Sequence, residues 1–259
     1  MRIALAQLAG VEGDTPHNFK SACEAVDEAA GLRADCLLLP ELHLTGFVKA
    51  ADLPRVAEPW PGRMLAGLIE RAAAGAMGLC TSFVEAGEDG LMFNTAVLTA
   101  PDGRILSSYR KTHLFDAERR LYAPGERLAP PADFLGVSAG MLVCYDIEFA
   151  EAARSLALAG TQIILIPSAN MEPWGPRHRV FATARALENH LFVAYCNRCG
   201  VGPGVRYCGE SAIVDPMGHV LCEAGEDEAV IVADIDPGVI TASKQTFDYL
   251  HERRPELYA

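Results

Sequence analysis

Short apolar runs alternate with amphipathic helical patterns along the whole chain, and this alternation restricts the possible folds more than any other feature. Residues 2–8 and 36–39 have the composition of buried strands, and between them residues 17–33 repeat apolar side chains at the spacing of one helix face. The same patterns predict further helices over 62–74, 149–159 and 176–189, and further strands over 77–84, 94–99, 105–109, 139–144, 162–167, 191–197, 210–214 and 230–235.

The predicted strands and helices are mixed through all 259 residues, and no linker rich in Ser, Gly or Pro separates them. The turn Pro101-Asp102-Gly103 is expected to join two neighbouring strands. No repeat or low-complexity segment interrupts the pattern. Mixed elements of this kind indicate an α/β fold in which helices cover packed sheets, and we expect residues 1–259 to form one domain.

The charge balance argues against partners that carry many phosphates. The chain has 22 Lys and Arg against 34 Asp and Glu, a formal charge of −12, and no run of basic residues. We therefore expect neither a nucleic acid nor a membrane surface as a partner. The first ten residues do not resemble a signal peptide, and no apolar run approaches the roughly 18 to 20 residues of a membrane span. These features predict a soluble, cytoplasmic protein.

The eight cysteines are expected to be reduced thiols, because several lie in apolar, strand-like segments of a chain without a leader. Cys196, Cys199, Cys208 and Cys222 could be drawn as a zinc site, but they contain a single Cys-x-x-Cys pair. We expect no metal. Residues three apart on a strand point to opposite faces unless the chain turns, so Cys196 and Cys199 are predicted to be unpaired.

Three residues of catalytic type lie at predicted strand ends. Glu41 follows an apolar strand, Lys111 follows another, and Cys144 lies between a strand and a helical pattern. A thiol that faces the positive end of a helix can become a thiolate near neutral pH. Taken singly, each has a simpler explanation: Cys144 as a core residue, Glu41 as the start of a loop, and Lys111 as a solvated surface lysine.

Together these residues belong to ordered motifs. Pro-Glu-x-x-x-Thr-Gly-Phe starts at Pro40, Arg-Lys-x-His-Leu at Arg110, and Cys-Tyr-Asp-x-x-Phe at Cys144. In this order they resemble the nitrilase superfamily of carbon-nitrogen hydrolases. The resemblance extends over residues 3–247 and includes Tyr-Ala-Pro-Gly at 122–125 and the closing segments 209–211 and 215–218.

The resemblance implies a single-domain, four-layer α-β-β-α sandwich, no cofactor, and a catalytic triad of Glu41, Lys111 and Cys144. Glu118 matches a fourth acid found in many members, although it could equally be a surface glutamate that pairs with Arg119 or Arg120. His113 corresponds to a supporting residue that hydrogen-bonds behind the site. Its alternative is a partly exposed loop histidine.

The implied mechanism is amide hydrolysis through a thioester. Cys144 attacks the carbonyl carbon, and Glu41 takes the thiol proton, delivers it to the leaving ammonia and then activates water. Lys111 and the backbone N–H of Tyr145 stabilise the oxyanion. Two alternatives from other classes are a binding protein without activity and a papain-like hydrolase in which His113 or His178 is the base.

The substrate is expected to be a small primary amide that carries an amine. Relatives that act on carboxylates often have arginine just after the nucleophile, whereas this chain has Ile147 and Glu148. Several stretches look most like the 5-aminopentanamidase and R-stereoselective amidase subgroup. An omega-amidase or an N-carbamoyl amine hydrolase is the alternative. The expected substrate-binding residues are Glu148, Asn170, Met171 and Trp174.

Glu148 is expected to provide the counter-charge for the amine from the first turn after the nucleophile. It could instead favour a helix N-terminus or pair with Arg154, and Asp116, Glu172 or Glu210 could supply the charge in its place.

A homodimer is expected from the family resemblance and from an aromatic tail. Residues 240–259 include Phe247, Tyr249 and Tyr258 beyond the last predicted strand, and we expect this tail at the dimer interface. The alternative is a tail that docks onto its own subunit.

Overall fold

The computed structural model describes residues 1–88 and 90–258. The helices are α1 Thr15–Gly31, α2 Leu53–Val56, α3 Arg63–Ala74, α4 Ala150–Leu158, α5 Gly175–Asn189 and α6 Gly238–Thr246. The strands are β1 Arg2–Gln7, β2 Cys36–Leu38, β3 Gly78–Ala86, β4 Met92–Thr99, β5 Ile105–Arg110, β6 Ala132–Phe134, β7 Val137–Met141, β8 Ile163–Ser168, β9 Phe192–Asn197, β10 Cys199–Gly202, β11 Val205–Cys208, β12 Ala212–Val214, β13 Val220–Glu223 and β14 Ala229–Asp234.

Two six-stranded sheets form the centre of the molecule. Their strand orders are β14-β1-β2-β3-β4-β5 and β13-β12-β9-β8-β7-β6. In each sheet the three inner strands with apolar sequences, β1-β2-β3 and β7-β8-β9, run parallel. β10 and β11 form a separate hairpin. Parallel strands of this kind need both faces covered, which explains why they are continuously apolar.

The contacts made by the two faces of each sheet define the layers of the fold. β1 and β3 of the first sheet pack against β9 and β8 of the second, so the two sheets lie face to face. Helices α1 and α3 cover the outer face of the first sheet, and α4 and α5 cover the second. The expected four-layer α-β-β-α sandwich in a single domain is thus confirmed.

Most of the predicted helices and strands are present, and where their ends differ from the prediction the difference has a local cause. Helix α1 begins at Thr15, two residues before the predicted start, because the Asp14 side chain accepts the N–H of His17 at 3.1 Å and caps the helix. It ends before Arg33, whose φ of +57° is incompatible with a right-handed helix. The turn at residues 101–103 is present, with the N–H of Gly103 donating to the Ala100 carbonyl at 2.9 Å.

The predicted strand over 139–144 was too long at its carboxyl end. β7 ends at Met141, and a short 3₁₀ turn, Cys144–Glu148, separates it from α4. Cys144 has a φ of +44°, in the left-handed region that ends a strand. The short strands β6, β10, β11 and β13 were not predicted.

All eight cysteines are in the part of the chain that the structure describes, and each has a free thiol. Cys196 lies in β9 and donates its S–H to the Ala6 carbonyl at 3.1 Å, whereas Cys199 lies in β10. Across residues 1–88 and 90–258, no three His, Cys, Asp or Glu side chains are grouped to hold a metal ion. None of the helices found in that same part is both long and apolar enough to cross a bilayer.

Candidate active site

Loops that follow strands bring the expected triad residues to one place. Glu41 lies after β2, Lys111 directly after β5 and Cys144 after β7, so the site forms where strands of both sheets end. All three are buried: 1% of Glu41, 1% of Lys111 and 8% of Cys144 is exposed.

The ammonium of Lys111 lies between two buried carboxylates. Its Nζ is 2.7 Å from Glu41 Oε1 and 2.8 and 3.0 Å from the two carboxylate oxygens of Glu118. Burial lowers the pKa of Lys111, but the two carboxylates outweigh burial and raise that pKa well above its ordinary value. Lys111 is therefore a fixed positive charge at neutral pH.

Glu118 is held inside the site by its own turn. It belongs to the 3₁₀ helix Asp116–Arg120, and its Oε2 also accepts the N–H of Phe115 at 2.7 Å. Arg119 turns away and donates its Nε to the Leu114 carbonyl at 3.1 Å. The alternative of an exposed glutamate beside Arg119 or Arg120 is therefore excluded, because Glu118 is buried against Lys111.

Glu41 has the surroundings of a general base. Asn94 Nδ2 donates to its Oε1 at 2.7 Å, and its own backbone N–H donates to the Ser168 carbonyl at 3.2 Å. Burial raises the pKa of Glu41 against the opposing charge of Lys111, and Glu118 adds to the rise. A carboxyl group with a raised pKa can accept and return a proton near neutral pH. The sequence did not identify Asn94.

The sequence expectation of a Cys144 thiolate at a helix N-terminus is wrong. The residue starts a 3₁₀ turn, and α4 begins only at Ala150. Burial raises the pKa of the Cys144 thiol, and the charge of Glu41 raises it further, although the charge of Lys111 and the neighbouring Ser168 and Ala169 oppose this. A thiol with a raised pKa needs a base to take its proton before it can attack. Glu41 lines the same cavity as Cys144 and acts on its thiol electrostatically, so it is a candidate for that base.

Asp146, which the sequence did not indicate as a site residue, joins the loop that carries Lys111 to the turn that starts at Cys144. Its carboxylate accepts the Tyr109 hydroxyl at 2.8 Å, the backbone N–H of His113 at 2.9 Å and that of Val143 at 2.9 Å. The His113 ring lies 2.8 Å from the same carboxylate and stacks on Phe149, with ring centroids 3.8 Å apart. His113 thus contacts Asp146 in the turn that follows Cys144, while about a third of its side chain, 34%, stays exposed.

A cavity of about 760 Å³ opens onto the triad. Its walls include Asn170, Met171 and Trp174, which follow β8 and precede α5, together with Tyr145 and Glu148 from the nucleophile turn. The Tyr145 ring packs edge-on against Phe115 and Phe149 at centroid distances of 5.2 and 5.0 Å, which fixes the peptide that is expected to donate to the oxyanion.

Glu148 lies on the cavity wall and does not pair with Arg154, which donates to the Glu188 carbonyl at 2.8 Å. Arg185 holds the backbone of the turn by donating to the carbonyls of Ile147 and Glu148 at 3.0 and 2.9 Å. Burial raises the pKa of Glu148, against the opposing charge of Arg177. Among the other acids considered, Asp116 lines the cavity, whereas Glu172 pairs with Arg206 at 3.1 Å.

Two residues at the start of α5 complete the wall. His178 Nε2 lies 3.9 Å from Glu148 Oε1, and its Nδ1 lies 3.3 Å from the Ser168 hydroxyl. Burial lowers the pKa of His178 to about 4, so its ring is neutral at pH 7. Arg177 also lines the cavity, with its guanidinium 4.3 Å from the Trp174 ring centroid. The sequence indicated His178 only as a candidate papain-like base and did not indicate Arg177.

The carboxyl-terminal segment contacts its own subunit in part. The Tyr249 ring stacks on His190 with centroids 5.5 Å apart, and its backbone N–H donates to His190 Nε2 at 3.0 Å. Phe247, Leu257 and Tyr258 remain more than half exposed.

Comparisons with known proteins show the family to which the chain belongs. The family model described as carbon-nitrogen hydrolase matches residues 2–245. The chain is 41% identical to an (R)-stereoselective amidase from Pseudomonas sp, over 98% of this chain and 92% of that protein. It is 32% identical to an omega-amidase from Homo sapiens, over 100% of this chain and 96% of that protein.

Solved structures of amidases are also similar to this chain. An amidase variant from Nesterenkonia sp. AN1, with the acetamide moiety of fluoroacetamide covalently added at its active-site cysteine, superposes with a TM-score of 0.89. The two sequences are 32% identical, and the match covers 100% of this chain and 95% of that one.

Proposed function

The chain belongs to the carbon-nitrogen hydrolase family and is an amide-hydrolysing enzyme, and we propose that it converts a small aliphatic primary amide with an amine at its far end to a carboxylate and ammonia. The observation that carries the reaction is the buried group of Glu41, Lys111 and Glu118 beside the Cys144 thiol. The omega-amidase and N-carbamoyl hydrolase branches share this reaction centre, so the choice of substrate rests on the outer cavity.

In the acylation half-reaction, Cys144 Sγ attacks the amide carbon as Glu41 takes the thiol proton. Negative charge moves onto the carbonyl oxygen, where Lys111 Nζ and the Tyr145 N–H stabilise it. Each such donor typically contributes about 3 to 4 kcal/mol in the transition state. Glu41 then gives its proton to the departing nitrogen, which leaves as ammonia, and a thioester remains on Cys144. Water activated by Glu41 hydrolyses the thioester.

We propose that Glu118 tunes this centre without touching the substrate. A single carboxylate beside Lys111 would form a closed ion pair, with the carboxylate as a weak base. The second carboxylate shares the ammonium and adds a negative charge that raises the pKa of Glu41. Glu41 thereby becomes a better proton acceptor, while Lys111 stays charged.

The preference for an amine rests on Glu148 and on the neutral ring beside it. A partly buried carboxylate on the cavity wall attracts an ammonium group more strongly than one in bulk water. His178 adds no positive charge at neutral pH, because burial keeps its pKa near 4.

A second candidate is hydrolysis of an amide that carries a carboxylate, as the omega-amidase relative suggests. Arg177 favours it, because its guanidinium faces the same cavity and could bind an anion. Arg177 is already stacked on Trp174 and lies near Glu148, so a carboxylate would have to compete with Glu148 for it. We therefore place this candidate second.

The test compares ammonia release from three amides of similar length: 5-aminopentanamide, pentanamide and glutaramate. We expect kcat/KM to be highest for 5-aminopentanamide, and Glu148→Gln to lower that value about tenfold while leaving pentanamide nearly unchanged. Glu151→Gln, an exposed acid in the first turn of α4, is the matched control. Equal or faster hydrolysis of glutaramate by the wild type would overturn the preference for an amine.

We also propose a homodimer that uses α5 and the carboxyl-terminal segment. Val180 and Leu187 are exposed apolar residues on α5, and Phe247, Leu257 and Tyr258 are exposed beyond α6. Large apolar side chains that are exposed in one subunit can be covered at an interface between two subunits. The free thiols of all eight cysteines support a reducing compartment such as the cytoplasm.

A further inference from the structure

Two segments that are distant in the sequence form one side of the substrate cavity. Residues 169–172 follow β8 and residues 205–208 form β11, and both segments contribute side chains to the cavity wall. They pair like neighbouring antiparallel strands, with Met171 opposite Tyr207. We call these two segments the paired wall.

Backbone hydrogen bonds hold the paired wall together. The N–H of Cys208 donates to the Asn170 carbonyl at 3.1 Å, and the N–H of Glu172 donates to the Arg206 carbonyl at 2.9 Å. Two short strands have little stability of their own. Contacts with the rest of the fold must therefore fix where the paired wall lies.

Asn197, the buried last residue of β9, hydrogen-bonds to the first segment and to the residue that follows the second. Its Oδ1 accepts the N–H of Asn170 at 2.6 Å. Its Nδ2 donates to the carbonyl of Gly209 at 2.7 Å and to that of Asn170 at 3.3 Å. These partners determine the orientation of the side-chain amide, because the reverse orientation would place a donor against an N–H and an acceptor against two carbonyls.

Asn197 is itself held by groups from the opposite sheet. Its backbone N–H donates to the Ser211 hydroxyl at 2.8 Å, and that hydroxyl donates to Oε1 of Gln7, which ends β1, at 2.9 Å. The side-chain amide of Gln7 donates in turn to the carbonyls of Gly225 and Asp227 at 2.7 and 2.6 Å. Gln7, Ser211 and Asn197 are all buried, so this chain of hydrogen bonds connects the paired wall to the centre of the fold.

Within the described part of the chain, Asn197 is not one of the residues that line the cavity, and the hydrogen bonds of its side chain go to residues 170 and 209. We propose that Asn197 is a positioning residue, which holds the paired wall at the width that fits the acyl chain of the substrate. It acts through the wall and does not touch the substrate. The proposal applies to any primary amide and does not depend on whether the substrate carries an amine.

Three substitutions test this role. Asn197→Ala removes the three hydrogen bonds of the side chain, whereas Ser211→Ala removes the support behind Asn197 and leaves that side chain in place. Met171→Ala shortens a side chain of the wall itself. Thr99→Val is the matched control, because Thr99 is fully buried, its Oγ1 accepts the N–H of Leu79 at 3.0 Å, and it lies outside the cavity wall.

Steady-state kinetics with a linear and a bulky amide measure the width of the wall. In Asn197→Ala we expect KM for pentanamide to rise about tenfold with kcat within about threefold of wild type, because contacts made equally in the ground and transition states are lost. The ratio of kcat/KM for pentanamide to that for cyclohexanecarboxamide should fall about tenfold, since a looser wall discriminates less by size. Ser211→Ala should change KM and the ratio in the same directions by about threefold, and Thr99→Val should change neither.

A double-mutant cycle shows whether Asn197 acts through the wall. Met171→Ala should itself lower the ratio. Once Met171 is replaced, adding Asn197→Ala should alter the ratio by less than about twofold, since both substitutions affect the same surface. Fully additive effects of the two substitutions would overturn the proposal.

The remaining outcomes are equally decisive. Wild-type values of KM and of the ratio in folded Asn197→Ala would overturn the positioning role, and so would an equal change in Thr99→Val, which would assign the effect to stability. A loss of about a hundredfold in kcat with KM unchanged would place Asn197 at the reaction centre and also overturn it. If Asn197→Ala does not fold, Ser211→Ala decides, and wild-type values in that variant would contradict the proposal.

Discussion

Removing the charge of Glu118 while keeping its shape tests why this site contains two carboxylates. In Glu118→Gln, Lys111 keeps Glu41 as a partner at 2.7 Å but loses a carboxylate whose oxygens lie 2.8 and 3.0 Å from Nζ. Unit charges at that separation attract by about 6 kcal/mol at an effective dielectric constant of about 20. Glutamine retains one acceptor oxygen, and burying it costs less free energy than burying a carboxylate. We therefore take roughly half of the attraction, about 3 kcal/mol, as the net loss of stabilisation.

If the transition state loses this stabilisation relative to the free enzyme and substrate, kcat/KM should decrease about a hundredfold. The pH profile adds a second readout. The Glu118 carboxylate raises the pKa of Glu41, so its removal should lower that pKa and move the acid limb of kcat/KM to lower pH.

The assay is ammonia release from pentanamide between pH 5 and 9, which does not depend on recognition of an amine. Glu126→Gln, at an exposed position in the same loop, is the matched control and should behave as the wild type. Activity of Glu118→Gln within about threefold of wild type, with an unmoved acid limb, would refute the role assigned to the second carboxylate.

Three further predictions concern the whole molecule. Burial lowers the pKa values of His43 and His178 to about 4, below the value of 6.5 in the unfolded chain. Between these two pKa values the unfolded chain binds more protons than the folded one. The free energy of unfolding should therefore fall as the pH drops from 7 to 5. Urea denaturation at both pH values measures this, and equal stabilities would contradict it. Thiol titration of denatured protein without reductant should give eight thiols, and a count of six in protein kept anaerobic would contradict the free-thiol assignment. Sedimentation at micromolar concentration should show a dimer that Val180→Asp dissociates, and a wild-type monomer would exclude the proposed interface.

The fold was largely predictable from the sequence because the buried strands are continuous apolar runs. β2, for example, is apolar throughout and β8 is apolar up to its last residue, Ser168, and both strands are buried on both faces. The hairpin of β10 and β11 was missed because its strands are short and contain two glycines, and because its register depends on contacts with distant segments. The Cys199 N–H, for instance, donates to the Leu8 carbonyl at 3.2 Å.

The site was predictable only where its residues lie in ordered motifs. Glu41, Lys111 and Cys144 could be placed in this way, whereas Asn94 lies in the interior of β4 among strand residues and no local pattern distinguishes it. The position of Asp146, two residues after Cys144, could have indicated a role in the site. Its function as the acceptor for five donors from two segments, 109–113 and Val143, becomes visible only in the fold.

The protonation state of Cys144 is the clearest case of what sequence could not determine. A cysteine between a strand and a helix suggested an activated thiolate, but the intervening 3₁₀ turn moves the start of α4 to Ala150. Burial then dominates and raises the pKa of the thiol. The proposed mechanism therefore relies on Glu41 as the base, and not on a helix dipole.

The most direct test of the account is to identify the acyl-enzyme. Wild-type protein is mixed with pentanamide, quenched in acid within milliseconds and digested, and the peptides are analysed by mass spectrometry. We predict a pentanoyl adduct on the peptide that contains Cys144, and loss of both the adduct and turnover in Cys144→Ala, whose fold is checked by circular dichroism. An adduct on another residue, or turnover of Cys144→Ala within about tenfold of wild type, would contradict the assignment of Cys144 as the nucleophile.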